Sequence, residues 1–254
     1  MSLSGMGEVS APVLPPHRTL TEYYRQGQKS GFLRQIFDRT AIDYDRIEWL
    51  MAFGTGAKYR REALLRAGLK PGMKMLDVAA GTGAVSREAL AVLGEPRQIL
   101  GLDPSAGMLA QLVASVPIRV LRATGEQLPL AEASFDFLSV GYALRHMSDL
   151  SAALSEFHRV LKPGGTVCLL EITAPQRPLA RALARAYFRG VVPLLTRLAA
   201  RDSKTPLLWK YYWDTIDACI PPARVVKAME QAGFADVKHH VEIGIFSEYT
   251  GRRP

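Results

Sequence analysis

At 254 residues, 48% hydrophobic and 22% charged, the chain has the composition of a globular protein rather than a disordered or collagen-like one, with enough residues for one large α/β domain. Its two cysteines, Cys168 and Cys219, stand far apart and read as free thiols of a reducing compartment, so a disulfide-stapled scaffold is excluded. A formal net charge of +8 leaves nucleic acid and anionic lipid open as partners, to be decided by where the basic residues fall.

Residues 1–19 are rich in Ser, Gly and Pro without an apolar period, and a mobile tail is expected there. The start, MSLSGMGEVSAPVLPP, lacks a basic stretch leading into an apolar one. No apolar run approaches the ~18 residues of a membrane span, so a cytoplasmic protein is expected. Residues 20–254 read as a single domain. Residues 20–70 carry helical periodicity, as in Phe32, Ile36 and Phe37; FGTG interrupts it, and Gly68 with Pro71 beyond ends it. From Lys74 the texture changes. KMLDVAA, QILGLD, IRVLRA, FDFLSVGY and TVCLLEI are short, continuously apolar runs, as strands covered on both faces require. AVSREALAVL, SAGMLAQLVASV and LSAALSEFHRVL are the helices between them. This alternation predicts a doubly wound, mostly parallel α/β sheet. Residues 173–222 read as a helical cap inserted after the fifth strand. PARVVKAMEQAGF then gives a helix, and ADVKHHVEIG and IFSEYTG give two last strands at the sheet edge, seven in all.

MLDVAAGTGAV runs the first strand into a glycine turn. In an open α/β sheet, ligands sit beyond the carboxyl ends of the strands, and Gly81 and Gly83 let a ligand approach the backbone there. A dinucleotide fingerprint would place a third glycine where Ser86 stands. Asp77, just before the glycines, repels a pyrophosphate and favours a cationic ligand, such as an amino group beside a sulfonium; that describes S-adenosylmethionine. Asp103 closes the next strand and can hold both ribose hydroxyls of a nucleoside, which by itself leaves NAD and S-adenosylmethionine undistinguished. ATGEQLPL follows the third strand, where its amides and Thr124 can read an adenine edge. SVGYALRHMSD ends the fourth strand and should reach the transferred group.

These stretches together resemble class I S-adenosylmethionine-dependent methyltransferases, which are Rossmann-like. More narrowly, FDRTAIDYDRIEWLMAFG, LDVAAGTG, GLDPSAGML, GEQLPLAEASFDFLSVGYALRHMSDL, RVLKPGGTVCLLEIT and MEQAGFADVKHH resemble the ubiquinone/menaquinone biosynthesis C-methyltransferases, over about Phe37–Gly251. The resemblance implies cofactor contacts at Gly81, Thr82, Asp103, Thr124, Gly125 and Gly141, beside the Asp77 and Gly83 read from the turn. Thr124 stands where this family usually has Asp or Asn, and His146 where it usually has Asn. The implied reaction moves a methyl group to a ring carbon of a quinol or phenol. An O- or N-methyltransferase of a soluble metabolite, and a cofactor-bound subunit that transfers nothing, are the alternatives.

Ionising a ring hydroxyl raises electron density at the ortho carbon. Arg145 stays protonated and is expected to orient a phenolate or water, or else to pair with Asp149 or Asp45. His146 has an ordinary pKa suited to proton transfer. Tyr44 sits where the resemblance puts a residue that closes the pocket. On the cap, Arg177, Arg181, Arg185 and Arg189 recur every four residues and form one cationic stripe, suited either to solvent or to an anionic membrane surface at the inner face. Trp209, Tyr211, Tyr212 and Trp213 suggest a wall for a ring or isoprenoid tail, or else the cap's own core. No metal cluster and no nucleic-acid partner are expected, and a homodimer is left open.

Overall fold

The computed structural model describes residues 13–51 and 54–254. The first helix, α1 (Lys29–Met51), and the second, α2 (Gly56–Arg66), precede the sheet. Strands β1 (Met75–Val78), β2 (Ile99–Leu102), β3 (Arg119–Leu121), β4 (Phe135–Gly141) and β5 (Leu161–Ile172) alternate with α3 (Ala84–Leu93), α4 (Ala106–Ser115) and α5 (Leu150–Val160). The cap comprises α6 (Pro178–Ala186), a π-helical turn at Tyr187–Val191, α7 (Val192–Ala199) and α8 (Thr205–Ala218). Then come α9 (Pro222–Gln231), β6 (Ala235–Glu242) and β7 (Phe246–Arg252).

The seven strands run in the order β3-β2-β1-β4-β5-β7-β6. β1 to β5 are parallel, with Asp77 beside Gly101 of β2 and Ser139 of β4. β7 enters antiparallel between β5 and β6, so the last two strands pair as expected but β6 alone is the edge. Strand order reverses at β1, and this is where a doubly wound sheet opens a crevice.

Successive strand residues point to opposite faces. Leu76, Val78, Leu138, Val140, Val167 and Leu169 join one core with α5 and α9, while Met75, Ile99, Phe137, Cys168 and Leu170 join the other with α2, α3 and α4. A third core, Ile47, Val192, Trp209, Tyr212, Trp213 and Ile216, ties α1 to the cap.

Two boundaries differ from expectation. Helix does not begin near residue 20: residues 20–28 form turns in which Tyr23 and Tyr24 pack their rings on Tyr211. The expected tail falls largely on residues 1–12, outside the described residues, but Leu14–His17 are bound to the body. Leu14 N donates to Asp149 Oδ1 (3.0 Å), Leu150 N to Leu14 O (2.9 Å) and Ile220 N to Pro16 O (2.8 Å), and His17 is buried. The sequence signal there is composition, and composition does not register hydrogen bonds to a distant helix cap.

Candidate active site

A cleft of about 810 Å³ opens over the carboxyl ends of β1, β2 and β4, a size suited to a small-molecule site. α1 crosses above it. Its Asp38 accepts from Ser105 Oγ (2.6 Å) and Gly107 N (2.9 Å) at the start of α4, and its Asp45 accepts from Thr82 Oγ1 in the glycine loop.

The loop after β1 is backbone held in an uncommon conformation. Ala79 lies at φ 53, Gly81 at φ 56 and Gly83 at φ 90; Tyr142 after β4 lies at φ 59. Left-handed non-glycine residues cost about 1–3 kcal/mol each, and such strain concentrates at working sites. Gly81, Thr82, Thr124, Gly125 and Gly141 all line the cleft. A side chain on Gly141 would sit 2.5 Å from Val85 Cγ2, so this strand end admits none. Gly83 departs from the expected role: it does not line the cleft. A Cβ there would lie 2.2 Å from Leu112 Cδ1, so its hydrogen lets α3 start against α4.

Asp77 and Asp103 both line the cleft and both are buried. Asp77 accepts from Ser86 Oγ (2.5 Å) and Ser139 Oγ (2.6 Å). Asp103 accepts from Gly81 N (2.9 Å) and Ser105 N (2.8 Å). Burial pushes each carboxyl up to about 6 against these bonds, and for Asp103 the charges of Asp77 and Asp38 push the same way. No lysine or arginine among the described residues pairs with either group. A buried carboxylate without a counter-ion is costly, and a cationic ligand would relieve that cost. The residues present therefore fit a donor that carries positive charge beside a nucleoside. Asp77 does so through field and loop orientation, since each of its oxygens already accepts a serine hydroxyl.

On the other side of the cleft stand rings. His146 lines it, stacked on Tyr211 (5.7 Å between centroids) and edge-on to Phe37 (5.3 Å). Its Nδ1 is buried without a hydrogen-bond partner. Burial, then the charges of Arg145, Lys29 and His17, hold its pKa well below the ordinary 6.5. The ordinary value expected from sequence is therefore corrected, and the imidazole is neutral at physiological pH. Tyr44 also lines the cleft, stacked on Trp209 at 5.6 Å, and burial raises its phenol well above 10.

Arg145 is corrected more sharply. It is wholly buried and does not line the cleft. Its partner is neither Asp149 nor Asp45 but Glu171 at the end of β5. Its Nη1 also donates to Tyr142 O (2.7 Å), its Nε to Thr215 Oγ1 (3.1 Å), and its guanidinium lies 4.1 Å over the Tyr212 ring. Behind it, Lys29 Nζ donates to Met147 O (2.6 Å), with its pKa drawn down to about 8 by burial. Asp149 instead caps α5. Arg145 is thus a strut that joins β4, β5 and α8 behind the rings.

Two expectations for the cap also change. Of the four α8 aromatics, only Tyr212 lines the cleft; Trp209, Tyr211 and Trp213 are core. The arginine stripe does not face outward as one surface: Arg181 pairs with Asp217 (2.6 Å), and Arg189 with Asp214 (3.3 Å) and Glu22 (3.5 Å). Elsewhere, His240, Glu242 and Glu248 bring three potential metal ligands within 4.8 Å, but Arg66 already bridges both glutamates (3.1 and 2.7 Å).

Some site residues escaped the sequence reading although signals were there. Ser139 is a lone hydroxyl in an apolar strand, Glu171 a lone charge at the end of another, and Ser86 stood only as a missing glycine. Asp38 and Asp45 gave no local signal, because they meet the loops from a helix 37 to 69 residues away in sequence.

Comparison with known proteins agrees with this geometry. Residues 25–253 match the model of the ubiE/COQ5 methyltransferase family. The ubiquinone/menaquinone biosynthesis C-methyltransferase UbiE of Syntrophotalea carbinolica is 35% identical, over 91% of this chain and 96% of its own. The demethylmenaquinone methyltransferase of Desulfitobacterium hafniense is 30% identical, over 89% and 91%. A Thermotoga maritima S-adenosylmethionine-dependent methyltransferase, described as a possible histamine N-methyltransferase, superposes with a TM-score of 0.63 at 20% identity, over 87% of this chain and 100% of that one, and shares the fold. With a seven-stranded class I sheet, a glycine loop and two buried acids at its crevice, the chain belongs to the ubiE/COQ5 methyltransferase family and is an S-adenosylmethionine-dependent methyltransferase.

Proposed function

We propose that this enzyme methylates a ring carbon of a quinol or phenolic acceptor, in ubiquinone/menaquinone-type biosynthesis. The observation that carries this reading is the ring-lined compartment beside the glycine loop, where Phe37, Tyr44, Tyr212 and a neutral His146 all line the cleft and His146 meets Phe37 edge-on. S-adenosylmethionine, when bound, supplies an electrophilic methyl group on a sulfonium. Asp103 would hold the ribose hydroxyls, Asp77 the positive charge, and Thr124 and Gly125 the adenine edge. The rings orient a flat acceptor and exclude water. His146, whose protonated form burial and the charges of Arg145, Lys29 and His17 disfavour, takes the acceptor's hydroxyl proton only in passing as the ortho carbon is methylated. The proton of that carbon then leaves as the ring regains aromaticity, the oxygen recovers its own, and one proton in all reaches solvent. Arg145 takes no proton; it fixes the backbone of Tyr142 and the Tyr212 ring, and so acts as a positioning residue.

A second reading has support in His146 itself. A base that deprotonates a ring hydroxyl also activates that oxygen, so O-methylation of a soluble phenol uses the same atoms. Incubation with labelled donor and a panel of prenylated quinols and simple phenols separates the two, with the methyl position read by mass spectrometry and NMR. Methyl on a ring carbon is expected; methyl found only on oxygen or nitrogen would overturn the proposal. His146→Asn should lower kcat by about 10²–10⁴-fold if the histidine takes the proton, with donor affinity unchanged.

A further inference from the structure

The outer surface of the cap is apolar. Leu179 is 73% exposed and Leu183 64% on α6; Leu194 is 60% and Leu198 84% exposed on α7. On α6 the leucines lie on the side opposite Arg181, which is pinned to Asp217 of α8. The π-helical turn between α6 and α7 carries Val191, also exposed, between the two leucine sets. Ile243, at the turn between β6 and β7, is 80% exposed and held at φ 52, a conformation that a β-branched residue rarely adopts. Leu183 and Ile243 both also line the cleft, so the exposed apolar surface runs into its mouth. Isolated exposed leucines need no explanation, but four on two consecutive helices, one of which shares the cleft mouth with Ile243, do.

The surrounding charge says what covers it. The segment Gln176–Lys204 holds seven Lys or Arg residues and one acidic residue, Asp202. Asp202 is taken by Arg39. Arg177, Arg185, Arg197, Arg201 and Lys204 are exposed, and their side chains form no ion pair among the described residues. A symmetric dimer through this face would set the same cations against themselves. An anionic bilayer offers the leucines acyl chains and the long basic side chains phosphates, to which they can snorkel. No described helix is long and apolar enough to cross a membrane.

We propose that the leucine face of α6 and α7, with Ile243, docks the enzyme on an anionic membrane surface and opens the cleft toward the bilayer. The proposal rests on the reading above only in that a lipophilic acceptor would enter by this route. It replaces the arginine stripe with the opposite face of the same helix as the contact surface. Arg197 of α7, with Arg201 and Lys204 beyond its end, supplies the electrostatic part, which salt weakens, while the leucines supply the part that salt leaves intact.

The test is flotation of the full chain with vesicles of phosphatidylcholine alone and of phosphatidylcholine with phosphatidylglycerol, for the wild type and for Leu194→Glu/Leu198→Glu. Neither substituted residue lines the cleft. The wild type should partition onto the anionic vesicles and the variant at least about tenfold less, with donor affinity and methyl transfer to a short-chain acceptor retained. Those two retained activities show that the variant is folded and are read independently of vesicles, so a wrong acceptor assignment would appear in the transfer assay and not in flotation. The milder Leu198→Gln should fall between the two. Equal flotation of wild type and double variant would overturn the proposal, as would a wild type that floats with neither vesicle. A wild-type dimer that the double substitution splits, without vesicle binding by the wild type, would assign the face to a second copy and overturn it equally.

Discussion

The two sides of the cleft are built from different material. The donor side is backbone and short side chains, Gly81, Thr82, Gly125 and Gly141, with two buried carboxylates behind them. The acceptor side is large rings from α1, the end of β4 and α8, braced by a buried arginine. The donor side is assembled mainly from loops that immediately follow strands. The acceptor side exists only once segments more than 100 residues apart have met. The first should therefore tolerate loss of charge better than loss of space, and the second should fail when its brace is cut.

The largest effect is expected on the acceptor side. Arg145→Met leaves Glu171 buried without its counter-ion, at a cost on the order of 3–5 kcal/mol, read as a lower denaturation midpoint together with lost activity. Arg145→Met/Glu171→Leu should recover most of the stability and little of the activity, because Tyr142 and Tyr212 lose their anchor in both variants. Full recovery of both would mean that the pair only balances charge.

On the donor side, Gly83→Ala comes next. Its Cβ meets Leu112 at 2.2 Å and its φ is 90, so a loss of roughly 2–4 kcal/mol in chemical denaturation is expected. Gly68 has φ 94 with open space around it. Gly68→Ala isolates the conformational part and should cost about 1 kcal/mol. Equal costs at the two sites would remove the packing argument.

Loss of charge at the same end is milder for the fold. Asp103→Asn should weaken S-adenosylmethionine binding by about 10- to 100-fold while the melting temperature falls only slightly, since removing a buried charge offsets the one backbone N–H, of Gly81 or Ser105, that the amide leaves unpaired. A large fall in melting temperature would make Asp103 a structural residue first.

The smallest effect is pH. Asp77 and Asp103 are pushed up to about 6 from 3.8, so the folded chain binds more protons than the unfolded chain between about pH 4 and 6. Their contribution makes the unliganded protein more stable as pH falls through that window, and ionising them above it costs stability. A cationic donor needs the ionised forms, so its affinity should fall as pH drops through 6, by up to about tenfold per proton per pH unit. His146 should give no inflection near 6.5, because it is already neutral there.

The difference between the two sides also marks how far the sequence could be read. The strand-helix alternation, the glycine loop and Asp103 are local patterns, and α3 begins and ends where AVSREALAVL does. Arg145, by contrast, was a visible cation whose partner was not. The acids expected to meet it, Asp149 and Asp45, are spent on a helix cap and on Thr82, and the residue that does meet it comes from β5. The arginine stripe was visible as spacing, yet spacing cannot tell which face a helix turns inward. Asp214 and Asp217 on α8 made that choice. The π-helical turn between α6 and α7 had no sequence signal that period analysis could catch.

The measurement that bears most directly on the site is calorimetric titration of S-adenosylmethionine, its demethylated product and NAD onto the wild type, Asp77→Asn and Asp103→Asn near neutral pH. The two buried acids are assigned to a cationic adenosyl donor, so the wild type should bind S-adenosylmethionine and both variants should bind it at least about tenfold more weakly. Undiminished affinity in both variants, or heat with NAD and none with the sulfonium donor, would contradict that assignment.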